Sequence, residues 1–360
     1  MDKKPQQTNP RISLRELPRT IHPGAAPVNP PTRWNPTTTI IYDWAPVEIP
    51  EVKAKLDQVR AEPYILVYQN IDPDSAKTGI INPDLIIREI RAKHGENPGG
   101  WGMLDYEEPF DRVLQSGPDN PEYGKCTKSM LGALEAVRQA FPRVRWTYYG
   151  MPGLSYWPGG KLWAFADEGA RQAEIERQIV AYGSVLRELD WYSPCVYDVY
   201  DLNRFGQREQ ASHLVNEREY RLSRVGVVRE LLRREGLGHR PVLPAVSPFF
   251  APGGNAVENQ RIPPDELVRD QIAPLVAAGC DGVCIWSAAQ WYGAQAVRPD
   301  DPRNKAQARV RPVFTRDYFG GTEPQWTDPQ TRVTLWAGLG NAIADMAVAA
   351  GAEWRRPRTV

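Results

Sequence analysis

Short apolar runs rich in β-branched and aromatic residues recur along the chain, and between them apolar positions return at helical spacing. The first run, Thr38-Thr39-Ile40-Ile41-Tyr42-Asp43-Trp44, is stopped by Ala45-Pro46 and predicts a strand. Tyr64 to Asn70 predicts a second. A helix should follow it, with Asn82 as cap, Pro83 in the first turn, Leu85, Ile86 and Ile90 on one face, and Gly95 beyond its end. Gly102 to Glu107 reads as a third strand, Arg145 to Gly150 as a fourth and Asp190 to Tyr197 as a fifth. Pro241 to Val246 and Gly282 to Ser287 read as the sixth and seventh. The intervening helices carry Leu131, Leu134 and Val137; Ile175, Ile179, Tyr182 and Leu186; Leu222, Val225, Val228 and Leu232; and the stretch Asp265 to Ala278. Thr331 to Ala350 predicts a closing helix.

This alternation, with strands apolar enough to be buried on both faces, implies a parallel sheet wrapped by helices. The expected fold is α/β, a TIM-type (β/α) barrel, distorted, with seven clear strands and no convincing eighth strand in 288–329. Residues 1–36, with Pro27, Pro30 and Pro31 among them, predict an extended arm ahead of a single barrel domain over 37–360.

Barrels of this type place their chemistry where strands end and βα-loops begin. Polar and aromatic residues gather at those ends: Asp43 and Trp44, Gln69 and Asn70, Asp105 and Glu107, Tyr148 and Tyr149, Tyr192 and Tyr197, and Trp286. The richest end is Gly102-Met103-Leu104-Asp105-Tyr106-Glu107-Glu108-Pro109. Strand alternation points Asp105 and Glu107 the same way and Glu108 the other, with the first two Cα atoms roughly 6.5–7 Å apart. Carboxyls that close compete for ionisation, so Glu107 is expected to titrate above the ordinary glutamate value. A carboxylic acid that keeps its proton near neutrality is what glycosidic cleavage requires.

Composition narrows the partners. The 12 Trp and 15 Tyr suit stacking on sugar rings as well as core filling. Lys plus Arg and Asp plus Glu both number 44, so no charge bias points to nucleic acid or an anionic membrane. No apolar run approaches the ~20 residues of a membrane span, and Met1-Asp2-Lys3-Lys4-Pro5 carries no legible signal peptide. Either a cytoplasmic protein or a secreted one with its signal removed fits that start. The four cysteines and four histidines fall in no metal-binding spacing, so neither a metal nor another cofactor is expected.

Five segments, in order between about residues 100 and 290, resemble the hyaluronidases. Gly102 to Glu107 is similar to their strand with an Asp-aromatic-Glu pair, and Trp146-Thr147-Tyr148-Tyr149-Gly150-Met151-Pro152 to their Trp-x-x-Tyr-x-x-Pro segment. Ser193-Pro194-Cys195-Val196-Tyr197 resembles their Tyr-Pro-Ser-Ile-Tyr segment, and Pro241 to Pro244 and Gly279 to Trp286 their last strands. The resemblance implies a distorted barrel and a retaining endo-hexosaminidase working by substrate-assisted catalysis. Glu107 would be the general acid and base, and Asp105 would stabilise the substrate's acetamido oxygen as nucleophile. Tyr149 and Tyr197 would position the sugar and Trp286 would lie under it, with Tyr192, Tyr148 and Asp43 as further substrate-binding candidates. The sequence departs from the family where Glu108-Pro109-Phe110 replaces its Trp-Arg-Pro, where Ser193 replaces a Tyr, and in lacking its disulfide framework. A conventional two-carboxylate glycosidase, with Asp43, Asp198 or Asp201 as partner to Glu107, and a non-catalytic glycan-binding barrel are the alternatives.

Overall fold

The computed structural model describes residues 38–151, 168–196, 224–238, 240–248, 267–287 and 329–355. The expected arm, Tyr197, Asp198, Asp201 and the segment searched for an eighth strand lie outside these.

Six strands form one parallel sheet: β1 Thr39–Tyr42, β2 Glu62–Tyr68, β3 Gly100–Asp105, β4 Val144–Tyr148, β5 Ala245–Val246 and β6 Gly282–Ile285. Their order is β4-β3-β2-β1-β6-β5, and every pairing is parallel. The sheet is a curled half-barrel of six strands, which corrects the expectation of seven in a barrel. The missing strand is the one expected from Asp190. It is reduced to isolated parallel bridges, Tyr149↔Ser193 toward β4 and Tyr192↔Val242 and Cys195↔Ala245 toward β5. Prolines account for this: Pro194, Pro241 and Pro244 have no N–H to give a ladder, so pairing is interrupted on both sides of the contact.

The helices return the chain between strands. α1 Pro50–Val59, which the apolar pattern did not flag, buries Val52, Leu56 and Val59. In α2 Pro83–His94 the Asn82 side chain accepts from the Asp84 N–H at 3.1 Å, so the cap forms as expected. α3 Phe110–Ser116 and α4 Tyr123–Ala140 follow β3. α5 Glu168–Leu186, α6 over 224–235 and a closing α8 Pro329–Arg355 agree with the expected helices. Before α7 Ala273–Ala277 the chain takes a π turn over Leu267–Ile272. Pro274 has no N–H for the carbonyl four residues back, which removes one α-helical bond at that junction.

Pleating divides the core into two layers. Ile40, Tyr42, Ile65, Val67, Leu104, Tyr106, Trp146, Tyr148, Tyr192, Val283 and Ile285 pack outward against the helices. Ile41, Tyr64, Leu66, Trp101, Met103, Trp191, Leu243 and Cys284 pack together on the concave side, with Tyr68, Tyr149 and Trp286 against them. The two indoles of this inner layer meet edge to face, Trp101 to Trp191 at 5.5 Å, and the Arg145 guanidinium stacks 3.4 Å over Trp101. At Gly102 a Cβ would lie 2.4 Å from the Trp146 ring, so only glycine lets that indole cover β3. No helix among the described residues is long and apolar enough to cross a membrane.

Candidate active site

The concave layer ends in acid. β3 stops at Asp105, whose parallel neighbour on β2 is Tyr68. Tyr106 turns back among the helices, edge-on to Phe110 at 6.0 Å, and Glu107 follows in the turn before α3. The carboxyls of Asp105 and Glu107 come near enough for each to shift the other's titration. Glu107 is exposed as a residue, but its carboxyl turns in toward Asp105.

Burial, then the charges of Glu107 and Asp111, push Asp105 well above the usual carboxylate range. Its Oδ1 is buried with no hydrogen-bond partner among the described residues. Burial also raises Glu107, against the lowering effect of the hydrogen bond to Asp105 and with a further rise from Glu108. The expected rise at Glu107 is therefore present, and the stronger one falls on the more deeply buried Asp105. The two groups titrate as a coupled pair, each raised first by burial.

Gln69 fixes the turn. Its Oε1 accepts from the Glu107 N–H at 3.2 Å, while its Nε2 donates to the Glu108 carbonyl at 2.6 Å and to Ser75 Oγ at 3.1 Å. The Asp111 N–H donates to the Glu107 carbonyl at 2.7 Å, joining the turn to the first turn of α3.

Aromatic groups surround the acids. The Tyr149 hydroxyl donates to Cys195 Sγ at 3.2 Å, and burial, then the charges of Cys195, Glu107 and Asp105, hold it in its neutral form. Trp286 Nε1 donates to the Tyr68 hydroxyl at 2.9 Å, which pins the indole. Tyr68 lies within the field of Asp43, Asp105 and Glu107, and burial most of all raises its pKa. Asp43 closes the other side: its Oδ1 accepts from the Trp44 and Ser287 N–H groups at 2.8 and 2.9 Å, and its Oδ2 is buried with no hydrogen-bond partner among the described residues. Burial pushes the Asp43 carboxyl up to about 7.

Of the candidates, Asp105, Glu107, Tyr149, Trp286 and Asp43 thus gather at one end of the concave face. Tyr148 and Tyr192 do not. Each is one pleat out of phase and faces the helices, Tyr148 donating to the Met130 carbonyl and Tyr192 to the Leu186 carbonyl, both at 2.8 Å. Tyr197 lies outside the described residues. Tyr68 and Asp111 went unnoticed. Tyr68 was legible in part, since Tyr64, Leu66 and Tyr68 alternate on one face, but its opposition to Asp105 depends on strand register. Among the described residues no group of three His, Cys, Asp or Glu is arranged to hold a metal ion, and no two of the four cysteines form a disulfide.

No family model matches the sequence, and no curated protein sequence does. Among solved structures, the fold is similar at a distance to that of a hyaluronidase. One such structure is bee venom hyaluronidase in a monoclinic crystal form, to which this chain is similar with a TM-score of 0.50 at 15% identity, covering 86% of this chain and 100% of that one. Bee venom hyaluronidase in complex with a hyaluronic acid tetramer gives a TM-score of 0.49 at 12% identity, covering 79% of this chain and 98% of the other. At such identities the likeness speaks for the fold alone.

Proposed function

We propose that this protein is a glycoside hydrolase that cleaves N-acetylhexosamine-containing glycans with retention, by substrate-assisted catalysis. The observation that carries this reading is the Asp105–Glu107 pair, two coupled carboxyls at the end of β3 beside Tyr149, Tyr68 and a pinned Trp286. An acetamido N–H donated to Asp105 stabilises that carboxyl in its ionised form, so the pair's proton passes to Glu107. Glu107 then protonates the leaving oxygen while the acetamido oxygen attacks the anomeric carbon, and Asp105 balances the positive charge that develops on the acetamido group. Water, deprotonated by Glu107, opens the resulting ring intermediate and restores the acid. In this reading Trp286 lies under the sugar ring, and Tyr149 and Tyr197 position it. The fold shared with a glycoside hydrolase supports the class of reaction.

The test is reducing-end release from a panel of glycans with and without N-acetylhexosamine, run beside Glu107→Gln. Turnover confined to N-acetylated glycans and reduced at least ~10²-fold in the variant is expected. Turnover on glycans without the N-acetyl group would replace the substrate-assisted route by a two-carboxylate one. No turnover on any member would remove the enzymatic reading in favour of glycan binding.

A further inference from the structure

β3 stops at Asp105 and α3 starts at Phe110, so the turn over 106–109 lies in neither a ladder nor a helix. Its backbone polar groups must find partners elsewhere. The first turn of α3 supplies one: the Asp111 N–H donates to the Glu107 carbonyl at 2.7 Å. Gln69 supplies two more, its Oε1 accepting from the Glu107 N–H at 3.2 Å and its Nε2 donating to the Glu108 carbonyl at 2.6 Å. Glu107 is therefore tied at its own N–H, at its own carbonyl and at the carbonyl that follows. The direction of a Cα–Cβ bond is set by the backbone atoms on either side of it, so these ties fix where the Glu107 side chain leaves the chain.

A glutamine amide can lie in either of two senses, and here Ser75 selects one. Ser75 is wholly buried, and its Oγ donates its one proton to the Asp72 carbonyl at 2.7 Å. Toward Gln69 it can then only accept, and Gln69 Nε2 donates to it at 3.1 Å. That leaves the second Nε2 proton for the Glu108 carbonyl and Oε1 for the Glu107 N–H. The line of support runs further. Asp72, 3% exposed, accepts from the Asn82 N–H on Oδ2 at 2.7 Å, and Asn82 caps α2. Gln69 itself follows β2 directly, in the single 3-10 turn Gln69–Ile71. Through one side chain, the turn that carries Glu107 is braced against the end of β2 and the start of α2.

We infer that Gln69 is a positioning residue of this site, acting through the Glu107 backbone to aim that carboxyl at the leaving oxygen, with Ser75 setting the sense of its amide. The inference rests on Glu107 being the proposed acid. Proton transfer needs the acid within hydrogen-bond reach of the oxygen it protonates, so a carboxyl on a slack turn loses rate before it loses binding. Support of this kind, from a side chain that does not itself react, is what keeps a reacting group in its productive geometry.

The experiment is steady-state kinetics of the full chain on the glycan panel, comparing the parent with Gln69→Leu, Ser75→Ala and Lys77→Ala, beside amide hydrogen exchange at Glu107. Gln69→Leu keeps the bulk and removes both ties. It is expected to lower kcat by ~10–10²-fold with KM little changed, and to speed exchange of the Glu107 N–H. Ser75→Ala frees the amide to reverse and should lower kcat by less, again without raising KM. Lys77→Ala, on the exposed side of the same loop, should match the parent. An unchanged kcat in Gln69→Leu, or a rise in KM as large as the fall in kcat, overturns the inference. A loss in Lys77→Ala equal to that in Ser75→Ala also overturns it, by reducing the effect to loop stability. Should Gln69→Leu not fold, Ser75→Ala decides alone, and a kcat equal to the parent's overturns the inference. The two failures are distinct. A parent that turns over nothing sinks the proposed function, while exchange at Glu107 still decides whether Gln69 holds the turn; an active parent with kcat unmoved in Gln69→Leu sinks only the role of Gln69.

Discussion

Tyr148 and Tyr149 are neighbours in sequence and opposites in the fold. Tyr148 faces the helices, with its hydroxyl on the Met130 carbonyl, and the same holds for Tyr192 on the Leu186 carbonyl. Tyr149 faces the concave side, where its hydroxyl meets a thiol and lies in the field of two carboxyls. On the outer layer the hydroxyls of Tyr148 and Tyr192 end on backbone carbonyls, which ties strand to helix. On the inner layer polar groups are held in states that water would not give them: among the described residues Asp43 and Asp105 keep a buried oxygen each without a partner, and several carboxyls are raised. One pleat of phase separates a side chain that holds the fold from one available for chemistry.

The sharpest way to break this comparison is Asp105→Asn. If the inner layer is built for a charge that appears only near the transition state, turnover should fall by about 10²–10³-fold with KM little changed. Equal losses in kcat and in substrate affinity would reduce Asp105 to a ground-state contact.

Next in size is the pH dependence that Asp43 imposes. Its folded-state pKa is raised from an ordinary aspartate value to about 7, so between about pH 4 and 7 the folded chain keeps a proton that the unfolded chain has released. This contribution to stability is fully present below about pH 4 and is lost as pH rises through 7. Asp43→Asn, measured by thermal melts across that window, should flatten the decline by on the order of a few kcal/mol. Some slope should persist, because Asp111 titrates in the same interval. A decline as steep as in the parent would mean that the Asp43 carboxyl is ionised throughout.

The smallest effects contrast the two tyrosines directly. Tyr148→Phe should destabilise the fold by about 1 kcal/mol through the lost bond to Met130 and leave turnover unchanged. Tyr149→Phe should do the reverse, lowering kcat/KM with little change in melting temperature. The opposite pattern would exchange the roles assigned to the two layers.

Period and punctuation made much of the architecture legible. Six of the seven runs and the Asn82 cap appear where the pattern placed them. The pairing of Asp105 with Glu107 was legible because the two stand two positions apart at a strand end. Phase against the sheet was not: nothing local in Tyr148-Tyr149 says which ring faces inward, since both are large and both are buried by tertiary packing. Nor could the fifth run be recognised as a bridged segment, because the loss of pairing arises jointly from Pro194 and from Pro241 and Pro244 on its neighbour. Tyr68 and Asp111 escaped for related reasons. The first owes its place to strand register, and the second to a helix that begins only after Pro109.

Gln69 carries a consequence for how such a site can change over generations. Its amide is a part with two unlike ends, an acceptor for the Glu107 N–H and a donor to the Glu108 carbonyl. Exchange for Glu keeps the shape but sets oxygen against oxygen at one end, and exchange for a shorter side chain releases both. Drift at position 69 is therefore tied to the turn that follows β3. The two segments, joined across separations of 38 and 39 positions along the chain, are held as one structural unit.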